Sequence, residues 1–119
     1  MPVAVKRVYE APSRTDGARV LVDRLWPRGL SKQRAQIDEW LRQLAPSDDL
    51  RKWFHARPDH WPMFRKKYLK ELSQHPEAEG DLRKLYDLAH KKKRLTLLFA
   101  SKNEQHNNAV VLEELVRQS

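Results

Sequence analysis

The residues best suited to chemistry form a short charged segment directly after an apolar run. The run from Val20 to Val22 is followed by Asp23, Arg24 and, four positions later, Arg28. Arginine guanidinium groups bind phosphate or carboxylate through two parallel hydrogen bonds. An aspartate beside them can orient the arginines. The segment therefore predicts a binding site for a small anionic ligand.

Two other segments carry polar groups that would complete such a site. Arg7 lies near the end of the first apolar segment, and Asn107 and Asn108 precede the last amphipathic segment. A helix N-terminus offers unpaired backbone N–H groups to an anion. We therefore predict a set of ligand-binding residues at one sheet edge: Arg7, Asp23, Arg24, Arg28, Asn107 and Asn108.

The same charges also fit a purely structural interpretation. Asp23 could pair internally with Arg7 or Arg24 and so neutralise charge beside the core, because structural ion-pair networks also gather arginine and aspartate. The residue types alone do not choose between this network and a ligand site.

An enzymatic alternative assigns the role of general base to Asp23 or His55. His55 follows an aromatic pair, and an imidazole exchanges protons near neutral pH. With arginines stabilising the developing charge, the chemistry would be of the hydrolase or transferase type. A partly buried or merely exposed histidine without a catalytic role is the more common explanation for a single histidine in such a position.

The composition argues against metal and nucleotide cofactors. The chain has no cysteine, and its five histidines lack the spacing of a helical metal-binding pair. Its three glycines, Gly17, Gly29 and Gly80, build neither a phosphate-binding loop nor a dinucleotide fingerprint. We therefore expect no metal and no cofactor.

The candidate residues need a sheet to bring them together. Strands are predicted over Val3–Tyr9, Arg19–Val22 and Leu95–Ser101; the last is a continuous apolar run typical of a buried parallel strand. The loop between the first two strands leaves them either antiparallel neighbours or parallel with an irregular crossover.

Helices occupy most of the remaining sequence. Lys32–Leu44 favours a helix, with a turn and a short extended piece around Ile37 as the alternative. Further helices are predicted after the Ser47 cap, across Trp61–Leu72, after Pro76, and after Asn107 or Asn108. We therefore predict one α/β domain over residues 1–119. Its small sheet of three to four strands is at least partly parallel and is packed by about five helices.

The net charge of +8 and the pI near 10.0 favour anionic partners. The basic runs Arg65–Lys67 and Lys91–Arg94 raise a nucleic-acid-binding module as a further alternative, although they are also explained as solvated helix surface. No apolar run approaches the roughly 20 residues that cross a bilayer, and the N-terminus lacks a signal-peptide pattern. We expect a cytoplasmic protein without membrane contact, and nothing in the pattern indicates an oligomeric state.

The order of several motifs resembles a known family. Lys6-Arg7-Val8-Tyr9, then Asp16-Gly17, and above all the string Asp23-Arg24-Leu25-Trp26-Pro27-Arg28-Gly29, resemble the YeaO-like family of uncharacterised small bacterial proteins. The similarity continues through Phe54-His55 and Leu95–Leu98 to Asn107–Leu112. The resemblance implies a compact cytosolic α/β domain and names no activity, substrate or catalytic residue.

Overall fold

The fold is organised around a four-stranded sheet whose strands all run parallel. The computed structural model describes residues 3–92 and 94–118. Its strands are β1 (Val3–Arg7), β2 (Ala18–Leu21), β3 (Glu39–Trp40) and β4 (Leu95–Phe99), in the order β1-β4-β2-β3. The predicted α/β class and the parallel sheet are confirmed.

The last strand in the sequence lies between the first two. All five residues of β4 are buried, and Leu95 is level with both Val3 of β1 and Ala18 of β2. The connection from β1 to β2 is therefore an irregular crossover, which contains a short 3-10 helix over Arg14–Asp16. The alternative of antiparallel neighbours is wrong, because the apolar β4 takes the central position.

Five α-helices surround the sheet in the described residues, in agreement with the prediction. They are α1 (Lys32–Ala35), α2 (Asp48–Ala56), α3 (Trp61–Gln74), α4 (Pro76–Lys91) and α5 (Asn108–Gln118). Ser47 caps α2 through its hydroxyl, as predicted. Lys93, which belongs to the basic run at the end of α4, lies outside the described residues. Within the described parts of the chain, no helix has the length and apolar character to span a membrane.

The segment from residue 32 to residue 44 differs from the predicted single helix. It forms only the one turn of α1, followed by the extended β3 and a 3-10 turn over Arg42–Leu44. The buried Arg19 guanidinium donates to the carbonyls of Ala35 and Gln36, and Gln36 adopts a left-handed conformation with φ of 47°. A tertiary contact thus ends the helix, and the alternative of a turn with an extended piece is the correct one.

The core lies on both faces of the sheet. On the larger side, Val20, Val22, Leu97 and Phe99 pack with buried side chains of α2 to α5. On the smaller side lie strand residues whose side chains point to the opposite face, together with the residue that follows β1. They pack under the loop after β2 and around the segment 37–40, and they are Val8, Leu21 and Leu98. The loop after β2 therefore covers this face of the sheet. Since it starts where β2 ends, it also lies close to the carboxyl edge of the sheet.

Candidate functional site

A cleft of about 740 Å³ opens at the carboxyl edge of the sheet. Parallel strands all end at this edge, so the segments that leave β2 and β4 meet there. The start of α2 and the first turn of α5 complete the walls. The cleft is lined, among others, by Asp23, Arg24, Arg28, Arg51, His55, Lys102, His106, Asn107 and Asn108.

Asp23 is fixed to three other segments of the chain. Its carboxylate accepts the backbone N–H of Ala100 at 2.8 Å and the side-chain amide of Asn108 at 3.2 Å. Its carbonyl accepts the indole N–H of Trp40 at 2.7 Å. Burial raises the pKa of Asp23, and although the Ala100 and Asn108 hydrogen bonds and the charge of Arg51 oppose this effect, the pKa stays above its ordinary value.

The two asparagines at the start of α5 are buried and already hydrogen-bonded. Asn107 caps the helix, since its side-chain oxygen accepts the N–H of Val110 at 3.0 Å, while its amide donates to the carbonyl of Asn103. The Asn108 amide donates to the Val22 carbonyl at 3.0 Å as well as to Asp23. Both residues line the cleft, and both hold α5 in place beneath it.

Arg24 and Arg28 differ from the other predicted ligand-binding residues in the exposure and in the hydrogen bonding of their side chains. Both are exposed at the cleft, and in the described part of the chain neither side chain has a hydrogen-bond or ion-pair partner. The Arg28 backbone is held by its carbonyl, which accepts the Tyr9 hydroxyl at 3.0 Å. The two arginines therefore have free donors on a loop that is fixed through its main chain.

Arg7 reaches the same edge but does not line the cleft. Its guanidinium donates to the carbonyls of Ala100 and Ser101, at 3.2 and 3.0 Å, and lies 5.3 Å from the centre of the Tyr9 ring. Among the described residues Asp23 forms no ion pair with Arg7 or Arg24. The internal pairing considered from the sequence is therefore not formed.

His55 lies on α2, is exposed and lines the cleft together with Asp23. Both candidate catalytic side chains thus face the same space. Within residues 3–92 and 94–118, no group of three histidine, aspartate or glutamate side chains is placed to hold a metal ion.

Three further residues of the cleft were not predicted from the sequence. Arg51 follows the Ser47 cap by one helical turn, and its contact with Asp48 is a weak, exposed one at 3.5 Å. Lys102 directly follows the exit of β4, and His106 stacks on Trp61 with 4.6 Å between ring centres. The positions of Lys102 and His106 between a buried strand and the last helix were a usable signal, whereas Arg51 reaches the cleft only because α2 packs against it.

Residues 2–119 match the sequence model of the inactive DUF488-N3 subclade. The chain belongs to this family. The uncharacterised protein YeaO of Escherichia coli (strain K12) is 47% identical to this chain over 117 residues, which cover 98% of each chain. The uncharacterised protein Rv3073c of Mycobacterium tuberculosis (strain H37Rv) is 37% identical over 114 residues, covering 96% of this chain and 92% of the relative. The YeaO-like resemblance is confirmed, and no solved structure is a significant match.

Proposed function

We propose that this protein binds a small anionic ligand, bearing a phosphate or carboxylate group, in the cleft at the carboxyl edge of its sheet. The observation that carries the proposal is the pair of unpartnered guanidinium groups of Arg24 and Arg28 beside a cleft large enough for a small molecule. Exposed arginines on a loop fixed by Tyr9 are arranged to bind an anion with little rearrangement of the backbone.

The charge of the cleft supports the same proposal. Arg51 and Lys102 add two cationic groups to those of Arg24 and Arg28, whereas among the described lining residues only Asp23 and Asp48 contribute carboxylates. A cleft lined mainly by one sign of charge raises the local concentration of the opposite ion. The Asp23 carboxylate is set back among the Ala100 N–H and the Asn108 amide, so its charge is partly compensated.

Binding is favoured over catalysis by the state of Asp23 and by the family. Both carboxylate oxygens of Asp23 are already used to hold β4 and α5, which suits a structural role more than proton transfer. The family description, an inactive subclade, agrees with this assignment. The hydrolase- or transferase-type alternative is favoured by one arrangement only, the presence of Asp23 and His55 in one cleft.

The proposal is tested by calorimetric titration with inorganic phosphate at low ionic strength, preceded by a thermal-shift screen of phosphates, sulfate and small carboxylates. We expect saturable phosphate binding that weakens by about tenfold or more in Arg24→Ala/Arg28→Ala, since each lost hydrogen bond to a charged group removes roughly 1.5–3 kcal/mol. Arg83→Ala on α4, which removes an exposed arginine outside the cleft, is the matched control.

Equal phosphate affinity in the double variant and in the control would refute the assignment to Arg24 and Arg28. No thermal shift with any of the anions would refute the proposed function itself. Activity against phosphate or carboxylate esters that disappears in both Asp23→Asn and His55→Ala would favour the enzymatic alternative.

A further inference from the structure

A stack of aromatic rings forms part of the cleft wall. Phe54 of α2 stacks on Phe64 of α3 with ring centres 4.4 Å apart, and Phe64 stacks on Trp61 at 5.6 Å. Trp61 in turn stacks on His106 at 4.6 Å, with only 11° between the ring planes. Phe54 also lies 5.9 Å from Trp61, with 50° between the ring planes, so the rings form a cluster. These four rings, which we call the aromatic cluster, come from three segments of the chain, and three of them line the cleft: Phe54, Phe64 and His106.

His106 lies at the edge of the aromatic cluster, against Trp61, and is held there by its loop. Its backbone N–H donates to the side-chain oxygen of Asn103 at 3.0 Å, and the carbonyl of Asn103 accepts the amide of Asn107 at 2.9 Å. Trp61 covers one face of the imidazole, and in the described ranges no second ring contacts His106. A half-buried planar group with one covered face is a preformed stacking surface for a ligand ring.

The charge and the size of the cleft define the rest of the ligand. Its four cationic side chains and two carboxylates leave a formal excess of two positive charges when the histidines are neutral. A dianion would balance this excess. The cleft volume of about 740 Å³ lies within the range of pockets for organic ligands, roughly 300–1,000 Å³, and so leaves room for more than an inorganic anion.

We infer that the ligand is a phosphate monoester of a planar aromatic group, with its phosphate on Arg24 and Arg28 and its ring stacked on His106. This inference rests on the proposed anion-binding function and specifies its ligand class. The phosphate provides the two negative charges, and the ring fills the apolar part of the cleft beside the aromatic cluster. Neither inorganic phosphate nor an uncharged aromatic compound uses both halves of the site.

The experiment compares phenyl phosphate with methyl phosphate by calorimetric titration of the full chain at low ionic strength. Both probes are phosphate monoesters, and at about pH 8 both are dianions, so at that pH the titrations compare the ring and not the charge. We expect phenyl phosphate to bind about fivefold more tightly or better, in line with the energy of an aromatic stacking pair. In His106→Ala this ratio should fall to near one, while the affinity for methyl phosphate stays the same.

Two further variants separate stacking from charge and from general loss of structure. His106→Phe keeps a planar ring without a titratable group, so we expect it to retain the preference for phenyl phosphate. His90→Ala removes an exposed histidine near the end of α4, which leads into the opposite, amino edge of the sheet, and should leave both affinities unchanged. Thermal unfolding of each variant confirms that it is folded.

The outcomes distinguish this inference from the function on which it rests. Equal affinities for the two monoesters would overturn the inference and leave anion binding intact. A ring preference that survives in His106→Ala would overturn the placement of the ring. Failure of both monoesters and of inorganic phosphate to bind would overturn the proposed function as well.

Discussion

The side-chain amide of Asn108, the first residue of α5, donates to the carboxylate of Asp23 at 3.2 Å and to the carbonyl of Val22 at 3.0 Å. One buried amide thus joins the last helix to the exit of β2. The same Asp23 carboxylate accepts the N–H of Ala100 and so joins the exit of β4 as well. The carboxyl edge of the sheet is held together by side chains that also line the cleft.

Removing this amide should destabilise the protein more than an ordinary surface substitution does. In Asn108→Ala the Val22 carbonyl and the Asp23 carboxylate lose a buried donor, and we expect a loss of about 1–3 kcal/mol in the free energy of unfolding. Urea denaturation measures the change, with Gln74→Ala, at the exposed end of α3, as the control. Asn108→Asp should be at least as destabilising, because it places a second carboxylate against Asp23. Full stability in both variants would contradict the role of the amide.

The pH dependence of stability should differ in sign for the two buried aspartates. Burial raises the pKa of Asp16, but hydrogen bonds from Ser13, Lys6 and Arg19 outweigh it and leave the pKa below the ordinary value of 3.8. The stability that Asp16 contributes is therefore present above 3.8 and lost as the pH falls towards the lower folded value. The folded pKa of Asp23 is raised, so its contribution is present below 3.8 and lost as the pH rises through the folded value.

Urea denaturation of Asp16→Asn and Asp23→Asn from about pH 3 to about pH 7 tests this difference. Relative to the unmodified protein, the Asp16 variant should become less stable as the pH rises. The Asp23 variant should become relatively more stable over the window that begins near 3.8 and ends above the raised pKa. Parallel pH profiles for the two variants would contradict the opposite signs of the pKa shifts.

The close approach of two backbone segments requires glycine at position 17. Gly17 has a φ of +66°, and a Cβ atom there would lie 2.3 Å from the carbonyl oxygen of Arg94. This carbonyl already accepts the N–H of Ala18 at 3.0 Å, so it cannot move without breaking the bond that aligns β2 with β4. We expect Gly17→Ala to cost about 2 kcal/mol or more of stability.

Gly80 provides the matched control for this substitution. It lies inside α4, and a Cβ atom there meets no other atom within 4 Å. Gly80→Ala should therefore stabilise the helix by roughly 0.5–1 kcal/mol. Thermal melts of the two variants measure both changes. A loss of stability in both would contradict the difference in available space between Gly17 and Gly80.

The capping role of Asn107 predicts a graded series of stabilities. Asn107→Ala removes the acceptor of the Val110 N–H and should cost about 1 kcal/mol, a typical value for a lost N-cap. Asn107→Asp keeps an acceptor and adds a favourable charge at the N-terminus of α5, although it loses the donor to Asn103. We expect the aspartate variant to be more stable than the alanine variant in urea denaturation, and the reverse order would contradict the cap.

The sequence alone located β1, β2 and β4, because the burial of these strands is encoded locally, whereas β3 lies in the segment favoured as a helix. The run Leu95–Leu98 has Thr96 as its one polar residue and is otherwise leucine, a composition typical of a strand covered on both faces, and the run Val20–Val22 is apolar throughout. Polar residues directly after such runs were placed correctly at the carboxyl edge, as Asp23 and Arg24 illustrate. The cap at Ser47 is equally local, since it depends on residues within one helical turn.

Contacts between distant segments determined the local structures and side-chain positions that the sequence pattern did not specify. The helix predicted from Lys32 ends after one turn because Arg19, from a different segment, binds its last carbonyls. Arg7 was predicted to bind a ligand, yet its donors face the carbonyls of Ala100 and Ser101, which are 93 and 94 positions away. His106, in the loop before α5, stacks on Trp61 of α3, which lies 45 positions earlier in the chain.

The sequence by itself determined which apolar runs are buried and which polar groups follow them, because apolar period and chain direction are local properties. Only the tertiary structure decided that β4 inserts between β1 and β2, which guanidinium groups keep free donors, and which rings line the cleft. Hydrogen-bond partners and stacking neighbours come from distant segments, and their positions depend on how the whole chain packs.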